Sequence, residues 1–383
     1  MLLFKHMSQD IREFISPFTE LLAFGEPTHL EHAHTWVRNE LFEQLAALGY
    51  RSIALESCRV RGVMVNDFVQ HGMGDLDTVM KEGFSHRFGE WPANRELVAW
   101  MREYNADKPE DERLAFYGFD FQTETTSAPS PRPYLEFARD YLGEQADFST
   151  DDEKWSRDEA VMDLTKSPGK TPEAIRFREI GTGMLQRLHA RLPELVANTS
   201  YEEWNNAELH LTAALSLLQY HRECAEPNPL GVRLNRLCQM RDGVMARNLL
   251  EIRRLEKGRG PTFVHAHNAH LQRTNSSMEM AGERIEWFSA GALVAPVLGD
   301  QYTVIAGTLG RNDSFGLGEP DKATLEGQLQ SRFTTWGMTK DKPQGPARTV
   351  ADEISWAYFP LDQHLMDGVD ALLHVRVGRP VTR

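Results

Sequence analysis

Fourteen of the 383 residues are histidine, and six of these fall in two short windows: His29, His32 and His34, then His265, His267 and His270. Histidine is the side chain that changes charge near neutral pH, so such clustering points to proton transfer. Carboxylates accompany the windows. Glu26 stands three residues before His29, Glu56 lies in the run ALES, and Asp120 ends LAFYGFD. A histidine steered by a carboxylate is what a general base needs.

These residues must be positioned by strands and helices. Short apolar runs bounded by turn residues predict strands at Glu20–Phe24, Ser52–Leu55, Leu114–Phe119, Thr262–His265, Tyr302–Ala306 and Leu372–Val377. Most do not alternate, as expected of strands covered on both faces. Helical periodicity occupies 30–48, 92–105, 172–196, 201–223 and 231–256. The strand–helix alternation predicts an α/β fold: a mostly parallel central sheet with flanking helices and a large α-helical insertion. The predicted division is 1–130 for the first part of the core, 131–257 for the insertion and 258–383 for the second part, with Thr125–Pro133 as linker. Both histidine windows then begin at C-terminal strand ends, the edge where open α/β sheets bind ligands.

Thr28 followed by Glu31 matches the S/T-x-x-E capping box, which predicts a helix beginning there with His29 in its first turn. The positive end of the helix dipole would keep that ring neutral and able to accept a proton. The apolar stripe of this helix is Leu30, Ala33, Val37, Leu41, Leu45 and Leu48. At about 100° per residue, His34 lies about 40° and Arg38 about 80° from Leu30, flanking the buried face, while His32 at about 200° faces solvent.

The remaining candidates follow from strand ends and helix faces. Glu56 is either part of the site or a surface carboxylate heading the next helix. FVHAHNAHLQR brings His267 and Asn268 to the edge, with His265 on the same side but read as buried and hydrogen-bonded. In the helix at 231–256, Arg241 and Asn248 fall within the stripe of Leu234, Leu237, Val244, Met245 and Ile252. A buried guanidinium needs a carboxylate. Asp120 is preferred over Glu56 and Glu26, because no other partner for it is evident, and a structural and a catalytic pairing fit equally. His34, Asp120, Arg241 and Asn268 are therefore candidates for binding or supporting roles. Cys58 reads as a small core residue rather than a nucleophile, and no G-x-S-x-G elbow supplies a serine. Phe84, Phe88 and Trp91, with Arg87, either line a pocket or pack a helix, and packing is the simpler reading.

Composition narrows the partners. Hydrophobic residues make up 41% and charged residues 26%, as in globular chains. The formal net charge of −14 disfavours nucleic acid and anionic membranes. Three cysteines provide no disulfide framework, and no apolar run is long enough for a signal peptide or a membrane span, so the expected location is cytoplasmic. Met7 is a second candidate start.

GEPTH after the first strand, Arg38, ALES, YGFD, RDGVMARN and HAHNAHLQR, in that order from about Leu22 to Gly307, resemble the erythromycin esterase family. The resemblance implies hydrolysis of an ester or macrolactone by a histidine-activated water, with no covalent intermediate, no cofactor and no metal. It makes Glu26 and His29 the acid–histidine pair, Arg38 and Glu56 supporting charges, and His267 the histidine of an AHN motif. The chain departs from the family where Leu30 and Ala33 replace a usual glycine and a second histidine, which leaves the substrate open. A role in macrolide antibiotic resistance and one in natural-product metabolism are both compatible. The alternatives are a metal-dependent hydrolase on the same fold, an acyl-transfer or biosynthetic enzyme acting on a natural product, and a binding protein without chemistry. Glu26, His29, Glu56 and His267 are expected to meet in one cleft, and His29→Ala to remove activity while sparing the fold.

Overall fold

A computed structural model of the chain describes residues 9–124, 126–355 and 357–379. The alternative start Met7 and the first linker residue, Thr125, lie outside these. The chain forms two compact units, one from residues up to Asp120 and from Met245 onward, the other from Phe121 to Val244. The second boundary falls inside the helix Leu230–Leu255, whose unbroken periodicity carries no mark of it.

The first unit is built on a seven-stranded sheet. Its members are β1 (Leu21–Glu26), β2 (Ser52–Cys58), β3 (Ala115–Asp120), β4 (Thr262–His267), β7 (Tyr302–Arg311), β8 (Trp336–Thr339) and β9 (Ala371–Val377), in the order β3-β2-β4-β1-β7-β9-β8. A separate antiparallel hairpin pairs β5 (Asn275–Met280) with β6 (Glu283–Phe288). All sheet pairings are parallel except β8 with β9. The fold is thus α/β with a mostly parallel sheet and flanking helices.

Period-two alternation divides each strand between two cores. Leu22 and Phe24, Ile53 and Leu55, and Phe263 face one core, where Val37, Leu41, Phe42 and Leu45 of the helix Ala33–Ala47 cover them. Leu21, Ala23, Ala54, Val264 and Ala266 face the other, covered by Met245, Leu249 and Ile252. Asn248, on the same helix, is buried because its side-chain amide donates to the Phe119 carbonyl at 2.9 Å.

The topology fixes where a ligand would sit. From β1 the chain crosses over β4 to β2, whereas from β4 it crosses over β1 to β7. The direction of winding reverses between β4 and β1, and their C-terminal ends, Glu26 and His267, sit side by side in register. Such a reversal opens the crevice in which open sheets bind ligands.

The second unit is helical. Arg132–Leu142, Pro172–Ala190 and Tyr201–Cys224 enclose a core that includes Leu135, Phe177, Trp204 and Leu211. Among the described residues no helix is long and apolar enough to cross a membrane.

Candidate active site

Glu26 is the last residue of β1 and is buried. The chain then runs through a loop, Pro27–His32, before the first helix begins at Ala33. This overturns the capping box. Thr28 Oγ1 accepts from Leu30 N–H at 3.0 Å, and Glu31 Oε1 accepts from both His34 N–H at 2.8 Å and His34 Nδ1 at 2.9 Å. Glu31 Oε2 accepts from Arg379 N–H at 2.9 Å. With both oxygens engaged, Glu31 has no role to play for Thr28. His29 therefore stands on a loop and not in a helical turn, so no helix dipole acts to keep it neutral.

Two carboxylates act on it instead. His29 Nδ1 lies 2.7 Å from Glu26 Oε1, and Nε2 lies 3.6 Å from Glu56 Oε1. Burial opposes charge on the ring, but Glu56 and Glu26 outweigh it and push the pKa up to about 10. Burial likewise opposes charge on the glutamates, and the neighbouring histidines, His265 and His29 for Glu26 and His270 and His29 for Glu56, hold both well below the usual carboxylate range. At neutral pH the ground state is an imidazolium between two carboxylates, which corrects the expectation of a neutral ring.

Glu56 reaches this position through an irregularity in its strand. The register of β2 against β3 shifts between Leu55 and Cys58, a bulge that re-aims a side chain at the sheet edge. Its Oε2 accepts from His267 N–H at 2.7 Å, and Oε1 lies 3.3 Å from His270 Nε2. Glu56 is thus a buried site residue and not a surface carboxylate. His270, which sequence analysis left without a role, belongs to the cluster. The one-turn helix Asn268–Leu271 brings it there, and the i, i+3 spacing from His267 in HAHNAH is the signal that could have found it.

His267 presents a different face. Its Nδ1 accepts from Ala269 N–H at 3.2 Å, so the proton of the neutral ring sits on Nε2, which is buried with no hydrogen-bond partner. Burial, reinforced by the charge of His29, pushes its pKa down to about 3. The ring centroids of His29 and His267 are 5.4 Å apart. Phe88 lies 5.3 Å from His29, and Phe359 stands edge-on 4.7 Å from His267. Phe88 in turn packs 4.5 Å from Trp91, so these two aromatics border the site, whereas Phe84 is in the core.

The other candidates divide between the site and its frame. Arg38 is buried, with Nε and Nη2 donating to Asn39 Oδ1 at 3.0 and 2.7 Å. Burial lowers its pKa and the charge of Glu26 restores part of it, but a delocalised guanidinium stays protonated. His265 is buried as expected, its Nδ1 2.9 Å from the Phe24 carbonyl, yet its Nε2 comes within 3.3 Å of Glu26 Oε2. His34 is wholly buried beside Glu31 and Phe24. His32 is also buried, 4.8 Å from Trp91, which corrects its placement in solvent; the later helix start rotates it inward. Cys58 is a core residue whose thiol burial pushes up to about 11, which leaves little thiolate for nucleophilic attack.

Asn268 is a strand clamp. Direct pairing of β1 with β7 ends at Phe24–Ile305, and beyond it Asn268 Nδ2 donates to the Gly307 carbonyl at 2.8 Å while Oδ1 accepts from Gly307 N–H at 3.1 Å. The approach is possible because residue 25 is glycine, since a Cβ there would lie 2.1 Å from Asn268 Oδ1. Gly25→Ala is therefore expected to dislodge this amide and cost about 1–3 kcal/mol for each buried group left unpaired, read as a lower denaturant midpoint.

Asp120 is wholly buried at the end of β3, and its Oδ2 lies 2.9 Å from His86 Nε2. This pairing corrects the premise that Asp120 has no partner other than Arg241. Arg241, in the helical unit, is half-buried and not deeply buried. His86 and Arg87 have φ of +55° and +59°, a region that costs a non-glycine residue about 1–3 kcal/mol. The loop is held there by Ser85, whose N–H donates to Ser57 Oγ at 3.0 Å and whose Oγ accepts from Cys58 N–H at 2.8 Å. Nothing local in GFSH marks His86, because its partner lies 34 residues away.

Among the described residues, no three or more His, Cys, Asp or Glu side chains are grouped so as to hold a metal ion.

Three solved structures share the fold. A Bacillus cereus protein matches with a TM-score of 0.69 at 15% identity, over 97% of this chain and 91% of the other. A succinoglycan biosynthesis protein matches with a TM-score of 0.67 at 15% identity, over 95% and 89%. A histidine-to-asparagine mutant of erythromycin esterase EreC, in its open conformation, matches with a TM-score of 0.68 at 15% identity, over 97% and 95%. No curated protein matches the sequence. The family model of erythromycin esterase matches residues 45–376, a span that holds Glu56, His86, Asp120 and His267 and begins downstream of Glu26 and His29. By that match the chain belongs to the erythromycin esterase family.

Proposed function

We propose that this chain hydrolyses a carboxylic ester or macrolactone by direct attack of water, with His29 as proton acceptor. The observation that carries the reading is the environment of His29. Glu26 fixes Nδ1, and Nε2 is turned toward Glu56 beside the buried, proton-bearing Nε2 of His267. A water between His29 and a substrate carbonyl would pass its proton to His29 Nε2 as its oxygen bonds the carbon. Charge developing on the carbonyl oxygen would be met by His267 Nε2–H, a donor that stays neutral and needs no reorganisation. Glu56 would orient His29, His267 and His270 together, and Arg38 would balance the charge of Glu26 from one layer back.

A panel of macrolactones and aryl esters tests the activity, and mass spectrometry of the protein during turnover tests the mechanism. Ester cleavage with no acyl adduct on the protein is expected. An acylated peptide would overturn direct water attack, and a panel without a single substrate would overturn the hydrolase reading. The lysate location expected of the chain is the cytoplasm, which cell fractionation checks.

A further inference from the structure

Glu26 Oε2 and His265 Nε2 are both buried without a hydrogen-bond partner. They approach to 3.3 Å, on side chains with only 3% and 5% of their surface exposed. The other ends of both groups are engaged. Glu26 Oε1 lies 2.7 Å from His29 Nδ1, and His265 Nδ1 lies 2.9 Å from the Phe24 carbonyl oxygen. Phe24 and His265 are neighbours in register on β1 and β4, so the sheet itself sets the ring beside Glu26.

These contacts fix where protons can be. A carbonyl oxygen only accepts, so Nδ1 of His265 carries a hydrogen. A neutral ring then has a bare lone pair on Nε2, facing an anionic oxygen. The contact is too short to admit a water, and leaving both atoms unpaired in a buried setting is costly. Burial opposes a second proton on this ring and Glu26 favours it, while Arg38 and His34, both on the helix Ala33–Ala47, oppose it. Burial equally opposes a bare carboxylate at Glu26. One proton shared between Nε2 and Oε2 relieves both atoms and leaves the pair without net charge.

We propose that His265 and Glu26 hold one proton between them at neutral pH and that Glu26 is thereby a weaker partner for the proton on His29, a positioning role for His265 that rests on the hydrolase reading above. Glu26 orients His29 through Oε1 without exerting its full charge. His29 then gives up its proton at a lower pH than it would beside an unshielded carboxylate, so more of it is in the form that accepts from water. His265 acts through Glu26 and not on the reacting atoms.

Neutron diffraction from deuterated wild-type crystals at about pD 7.5 reads the proton directly. A deuteron between His265 Nε2 and Glu26 Oε2, bonded to either atom, is expected, and bare atoms on both sides overturn the proposal. This measurement needs no variant and no substrate, so it stands apart from the hydrolase reading. The effect on His29 is read in the pH profile. Glu56→Gln, which removes the stronger of the charges raising His29, brings the plateau of kcat/KM into measurable range. Adding His265→Gln keeps an amide donor for Glu26 but removes the charge of the proton. The ascending limb is expected to move up by about one pH unit, the lower end of a nearby-charge effect, with little change in the plateau. A lower plateau with the limb in place is what a scaffolding role gives, and it overturns the tuning of His29. If the double variant does not fold, the neutron result decides alone. Wild-type protein that cleaves no ester overturns the hydrolase reading and the role of His265 in it, but not the shared proton.

Discussion

Alanine at position 29 is expected to lower ester hydrolysis at least about 100-fold, the loss typical of removing a positioned base. It is also expected to lower the melting temperature, contrary to the view that a residue at a sheet edge can be removed without structural cost. His29 is the cation between Glu26 and Glu56, both of them buried, and its removal leaves two carboxylates sharing a low-dielectric pocket. Breaking a fully buried pair typically costs about 3–5 kcal/mol. The loss here should be smaller, because 36% of the His29 side chain is exposed and water screens the pair. The sign with pH follows from its raised pKa. This stabilisation is complete below the unfolded value near 6.5 and disappears as pH rises through about 10. Adding Glu26→Gln to His29→Ala should restore part of the stability and none of the activity. Equal melting of His29→Ala and wild type across pH 6–8 would mean that the glutamates are not charged as described.

The second large effect is on the pH profile. Only the neutral ring can accept a proton from water, and a pKa of about 10 makes that form scarce at pH 7. Because kcat/KM reports the free enzyme, it should rise about tenfold per pH unit between pH 7 and 9 and level off near 10, after correction for spontaneous hydrolysis. Glu56 is the stronger of the charges that raise His29. Glu56→Gln should therefore move the ascending limb to lower pH while reducing the plateau, since the amide no longer accepts fully from His267 N–H and His270. A flat profile from pH 6 to 9 would show His29 acting as an imidazolium, and its role as proton acceptor would fall.

The six strands that build most of the sheet were legible because they are short, continuously apolar runs, the pattern of strands covered on both faces. The hairpin was not, since NSSMEM and ERIEWF keep polar residues on an open face and present no apolar run. WGMT, at four residues, is too short to register. In the site, composition and strand ends pointed to Glu26, His29, Glu56 and His267, but the charge state of His29 could not be read. It depends on a carboxylate 27 positions further along the chain, brought near by a bulge that sequence does not announce. The false capping box has a similar cause. Glu31 matches the local rule, yet its carboxylate is claimed by His34 and by a backbone N–H 348 residues away.

That last contact has a consequence for the timing of synthesis. The Pro27–His32 loop emerges from the ribosome long before the segments that brace it, one of which follows Glu31 by 348 residues. Phe359 N–H donates to the Pro27 carbonyl at 3.1 Å, and the Arg379 backbone joins Glu31 and His32. Contacts of such sequence separation form late in folding, because the intervening chain must be ordered first. A nascent chain that has exposed Glu26, His29, Glu56 and His267 but not yet Phe359 carries every acid and base named here and lacks the brace on the loop that aims His29. Catalytic competence is thus acquired only after Phe359 and Arg379 have emerged, not step by step as each residue appears.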